Sequence, residues 1–137
     1  MKKIKSHDTK IHPQTLLLGI ESPKNRTHDI KSYFDEFIHL VESNDITYDE
    51  SLFIKLRSID PGYFLTKGKM EDVRKVCEEK NIEEVIISEA LSARQERNLS
   101  AIFNCRVFDR TQLILEIFEK SAHSAEGKLQ VSIAMEQ

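Results

Sequence analysis

The stretch "GYFLTKGKMEDV", Gly62 to Val73, sets a glycine, a gap and then Gly68-Lys69 ahead of a helical pattern. A glycine loop leading to lysine and a helix is one way a chain holds nucleotide phosphates. That loop needs four residues between its glycines and a Ser or Thr after the lysine, whose hydroxyl reaches magnesium. Here five residues intervene and Met70 follows the lysine. A thioether is a poor ligand for a hard cation, so this stretch does not make a magnesium–triphosphate site. A simpler use remains, in which Lys69 meets a phosphate at a helix start.

Other reactive residues form no recognisable set. Histidines 7, 12, 28, 39 and 123 lack the spacings of a zinc site, so no metal is expected. Cys77 and Cys105 have no second cysteine nearby and no histidine that the sequence places beside them, which suits reduced, buried thiols. No G-x-S-x-G elbow occurs. The 23 carboxylates are enough to put some together by chance, and solvated helix faces account for most of them. No catalytic residue is assigned.

Three junctions carry more than a core requires: Gly68-Lys69, Asp109-Arg110-Thr111 and Glu126-Gly127-Lys128. Binding residues on alternating strand–helix folds gather in such connections. Lys67, Lys69, Arg110 and Lys128 are therefore the candidates for nucleic-acid contact. Each junction also has a plainer reading: an exposed lysine, a helix cap with a surface arginine, and a simple turn.

These residues need a scaffold. A chain of 137 residues suits one domain. Its formal charge is −3 and its mean hydropathy −0.43, and no apolar run approaches the roughly 18 residues of a membrane span. The basic start "MKKIKSHDTK" lacks the apolar stretch of a secretion signal, so a cytoplasmic location is expected. Residues 1–31 hold seven Lys/Arg against three Asp/Glu, and residues 32–137 hold thirteen against twenty. Nucleic-acid contact would thus depend on local patches.

"TLLLGI" reads as a strand buried on both faces. Ile30, Phe34, Phe37, Ile38 and Val41 recur at helical spacing. "ITYDESLFIKL", Ile46 to Leu56, predicts one bent strand or two short ones. After the turn at Asp60-Pro61-Gly62, a helix carries Met70, Val73, Val76 and Cys77 on one face, with Glu71 and Asp72 expected in its first turn. "EVIIS" predicts a strand, Ser92 and Gln95 a capping box, "CRVFD" a strand, and Asp109 the cap of a further helix. Alternating strands and helices imply right-handed crossovers and an α/β fold: a small, mainly parallel sheet flanked by helices. The segment after Ser124 predicts the start of a long helix with no terminating signal.

The run "VFDRTQLILEIFEKSAHSAEGKLQV" resembles the signature of the HflX family of ribosome-associated GTPases, in which D-R-T-x-L-I-L-x-I-F leads to A-x-T-x-E-G-K-L-Q-V. The resemblance reaches back through "LSARQERNL" to Gly68-Lys69-Met70-Glu71. Three positions depart from it: Thr66 replaces a glycine, Ser124 a threonine and Ser132 a glutamate. The resemblance implies an N-terminal α/β domain over 1–122, with 123–137 opening a helical subdomain and the GTPase domain lying beyond the chain. It marks Gly68, Asp109, Glu126 and Gly127 as motif positions. It implies the large ribosomal subunit and the protein's own GTPase domain as partners, with no cofactor held by this chain and GTP and Mg2+ belonging to the absent domain. Two alternatives stand beside it: a phosphate-binding domain using the Gly68-Lys69 helix start, and a purely structural domain that restrains the GTPase in cis. Leu129, Ile133 and Met135 are expected to form an apolar face that frays or pairs with a second copy.

Overall fold

The computed structural model describes residues 12–25 and 29–119. Four strands form one parallel sheet: β1 (Thr15–Glu21), β2 (Glu50–Lys55), β3 (Glu84–Ile87) and β4 (Arg106–Phe108), in the order β2-β1-β3-β4. Between and after them run α1 (Ile30–Ser43), α2 (Lys67–Glu79), α3 (Ala93–Phe103) and α4, helical over 110–119. The fold is α/β.

β1 is the central strand, and six of its seven residues are buried. Alternation sends its side chains to both faces. Leu16, Leu18 and Ile20 pack with Val73 and Cys77 of α2 and Leu99 and Phe103 of α3. Leu17 packs with Phe37 and Val41 of α1 and Leu113 of α4. Helices α2 and α3 thus cover one face, and α1 and α4 the other. Gly19 faces the second layer, where an added Cβ would lie 2.4 Å from Cδ1 of Phe53. The missing side chain gives Phe53 room to stack on Phe34, with ring centroids 4.7 Å apart.

Two expectations need correction. Of Ile46 to Leu56, only Glu50–Lys55 pairs as a strand. The Asp49 carboxylate accepts from Thr15 N at 2.8 Å, a side-chain bond that stands in for a ladder bond and lets the chain turn there. Helix α2 begins earlier than its acidic residues imply. Thr66 caps it, accepting from Lys69 N at 3.4 Å, so the first turn is Lys67-Gly68-Lys69 and Glu71 and Asp72 lie beyond it. The caps of the later helices match expectation. Ser92 and Gln95 form a reciprocal capping box. Asp109 Oδ1 accepts from Gln112 N at 2.9 Å while Gln112 Oε1 accepts from Asp109 N at 3.1 Å.

The cysteines, 28 positions apart, meet in the fold. They lie beside one another, and Cys105 Sγ donates to Ile82 O at 3.1 Å. Burial, helped by the neighbouring sulfur, pushes Cys77 up to about 12, and burial raises Cys105 as well. Both are held as inert thiols.

The carboxyl edge of the sheet as candidate functional site

Because all four strands run the same way, every strand exit falls on one edge. That edge collects Ser22–Asn25 after β1, the connection 56–66 after β2, Ser88–Ser92 after β3, and Asp109-Arg110 after β4. The chain leaves β1 towards β2 on one side and later returns to β3 on the other. The crevice at such a reversal is where open α/β sheets receive ligands.

Here the crevice holds the chain's own carboxylate. Glu89 is 6% exposed. Its Oε2 accepts from Asn25 Nδ2 at 2.8 Å, from the Tyr33 hydroxyl at 2.5 Å and from Ser88 Oγ at 3.1 Å. Asn25 Nδ2 also reaches Ile20 O, and Ser88 Oγ accepts from Ile20 N, so the exits of β1 and β3 are tied together. Burial, then the bond to Glu89, raises the Tyr33 hydroxyl above the usual phenol range. Asp109, also buried, accepts from Leu91 N at 2.8 Å and links the exits of β3 and β4.

Arg110 lies over this network. Its guanidinium stacks 5.4 Å from the Tyr33 ring centroid, bonds Ser88 O at 3.5 Å and sits 3.6 Å from a Glu36 oxygen. The arginine is fixed in direction rather than waving in solvent. Lys67, Gly68 and Lys69 are the first three residues of α2. A Cβ on Gly68 would meet nothing within 4 Å, so no close backbone approach demands glycine there. Thr66, at the family's glycine position, serves as a helix cap.

The fold brings Lys67, Lys69 and Arg110 to one edge without gathering them into one pocket. α2 starts on one face of the sheet and α4 on the other. Lys128, Glu126 and Gly127 lie outside the described residues, as do Ser124, Ser132, Leu129, Ile133 and Met135.

Other cations on this edge escaped the sequence reading. Lys24 and Arg57 project from these connections and Arg94 from the first turn of α3, and all three are exposed. Among the described residues, none of Lys24, Arg57, Lys67, Lys69 or Arg94 forms an ion pair. Lys24 instead sits 5.8 Å from the ring centroid of Phe64. Elsewhere Arg74 pairs with Glu71 and Glu78, Lys80 with Glu50 and Lys31 with Asp35, while Lys75, Arg97 and Arg106 are exposed and form no ion pair among the described residues. The signal that could have found the missed residues is strand direction, since each follows a strand of a parallel sheet. Among the described residues no group of three or more His, Cys, Asp or Glu is placed to hold a metal, and no helix is long and apolar enough to cross a membrane.

Residues 31–119 match the model of the family described as GTP-binding GTPase N-terminal. The chain is 38% identical to GTPase HflX of Escherichia coli (strain K12) over 72% of its own length and 23% of that protein's. It is 31% identical to GTPase HflX of Magnetococcus marinus over 88% of its length and 28% of the relative's. The chain thus spans about a quarter of the curated relatives it matches. Among solved structures it resembles a glycine-to-serine variant of SsGBP, with TM-score 0.61 and 27% identity over 89% of this chain and 38% of that one. It also resembles SsGBP in complex with GDP, with TM-score 0.59 and 26% identity, covering 89% of this chain and 34% of that one. With its parallel four-stranded sheet and a family match running from α1 to the end of the described α4, the chain belongs to the GTP-binding GTPase N-terminal family, that of the HflX-type GTPases.

Proposed function

We propose that this chain is the ribosome-binding N-terminal domain of a cytoplasmic HflX-type GTPase, and that it meets RNA of the large subunit with the carboxyl edge of its sheet. GTP hydrolysis and the Mg2+ it uses belong to the remainder of the protein, the GTPase domain that this domain would position and modulate in cis. The observation that carries the reading is the group of unpaired cations on that edge. Lys24, Arg57, Lys67, Lys69 and Arg94 come together on that edge and form no ion pair among the described residues. An unpaired cation meets a phosphate without first giving up an ion pair, and Arg110, held by Tyr33, Ser88 and a Glu36 ion pair, adds a fork of fixed direction.

Binding of the chain to purified large subunits, measured by sedimentation at two salt concentrations, should weaken as salt rises. Replacing Lys67 and Lys69 together by alanine should lower the salt slope by about two, one for each phosphate contact removed. An unchanged affinity and slope in that variant would remove α2 from the interface.

A further inference from the structure

A cavity of about 420 Å3 opens between α2 and α3 beside the basic edge. Its walls are Tyr63, Leu65, Met70 and Ile102, with Lys67 and Glu71 flanking it. This volume falls within the range of small-ligand pockets, and the mixture of apolar wall and few polar groups is typical of them. Leu65 is fully buried, whereas Ile102 is 38% exposed, so the cavity runs from core to open surface. The Glu71 carboxylate is bound by Arg74 at 2.6 and 3.1 Å. Lys67 has no such partner among the described residues, leaving free positive charge at the mouth.

Tyr63 is held on a stiff platform. The Asp60 carboxylate accepts from Tyr63 N and Gly62 N, each at 2.8 Å. Asp60 and Phe64 exchange both backbone bonds, at 3.1 and 2.8 Å. Gln95 Nε2 donates to Asp60 O at 2.9 Å and Asn98 Nδ2 to Gly62 O at 2.8 Å. The turn closes on Phe64 at φ 66°, a left-handed conformation that a buried aromatic keeps only when its surroundings over-determine it. Among the described residues the Tyr63 hydroxyl has no hydrogen-bond partner, so an aromatic wall with a free polar tip is pre-positioned at the cavity.

We propose that this cavity receives the base of an unpaired RNA nucleotide, stacked along Tyr63 and backed by Met70 and Ile102, with the nucleotide's phosphate on Lys67. The inference rests on the reading that the carboxyl edge meets RNA. An unpaired nucleotide is a flat guest with apolar faces, a polar rim and an anionic tether. The cavity offers an apolar slot, the Asp60 carboxylate and Tyr63 hydroxyl at its rim, and one free cation. A base inside a duplex has both faces covered and cannot enter, so the pocket selects single strands.

The test is fluorescence anisotropy with the 137-residue chain, a labelled single-stranded oligoribonucleotide and the matching duplex at low salt. The wild-type chain should hold the single strand more tightly than the duplex. Tyr63→Ala should weaken single-strand binding on the order of tenfold and leave duplex binding unchanged, while Tyr63→Phe keeps most of it. Circular dichroism checks the fold. Should Tyr63→Ala fail to fold, Ile102→Trp, which fills the slot from an exposed position, should produce the same selective loss. Equal binding of both RNAs, indifferent to these changes, overturns the pocket and leaves the edge reading standing. A loss shared equally by both RNAs also overturns it, because Tyr63 would then serve the edge as a whole. Absence of binding to either RNA overturns the pocket and the edge reading together.

Discussion

Thr66 and Gly68 show how a residue's surroundings decide what a motif position does. Thr66 replaces a glycine of the family pattern and turns its hydroxyl to Lys69 N, starting α2 where a glycine would leave the amide to solvent. Gly68 then lies inside the helix with open space around it and no left-handed backbone. Its conformational freedom is therefore only a cost. Gly68→Ala should stabilise the chain by about 0.5–1 kcal/mol, read as a higher urea midpoint with an unchanged slope. A fall in the midpoint would mean that α2 starts later than described. Arg110 makes the opposite point. Its identity was legible in the string, but its stack on Tyr33 and bond to Ser88 join residues 77 and 22 positions apart, which no local spacing encodes.

At the level of elements, strand and helix order was readable because hydrophobic period and caps agree. Six buried residues in a row define β1, and Ser92-Gln95 and Asp109-Gln112 announce their helices. What escaped were features set by tertiary partners. Asp49 gives its carboxylate to Thr15 N and trims β2, and the two cysteines meet only once α2 and β4 are packed. The Glu89 network at the strand exits is likewise invisible in a string where Asn25, Tyr33 and Glu89 are scattered. Gly19 belongs to this scale because its effect runs through the neighbouring strand. Gly19→Ala would drive Phe53 off Phe34, and since Phe53 is half exposed on an edge strand its ring can swing outward. The expected cost is about 1–3 kcal/mol. In a Phe53→Ala background most of that cost should vanish, a non-additivity that a double-mutant cycle measures. Full additivity would show that the clash is not with Phe53.

Over the whole molecule the chain is net acidic, yet one edge gathers Lys24, Arg57, Lys67, Lys69 and Arg94 without ion pairs among the described residues. On the reading proposed above, approach to a phosphate surface would be oriented before contact, with this edge turned towards it. On the same edge Met70 stands where a magnesium-binding hydroxyl would be needed, and Glu89 fills the crevice at the strand reversal. Calorimetric titration of the 137-residue chain with GTP and Mg2+ should give no saturable heat. Micromolar binding would show that the edge serves nucleotide as well as RNA.

The buried Asp109 joins the exit of β3, through Leu91 N, to the first turn of α4, through Gln112 N. Arg110 adds a second fastening through Ser88 and Glu36. Mechanically, α4 is a beam clamped at its root rather than hung on a hinge. A push or twist delivered to the carboxyl edge should therefore pass into α4 with little lost to bending at the joint. Replacing Asp109 would loosen the clamp and let α4 move independently of the strand exits.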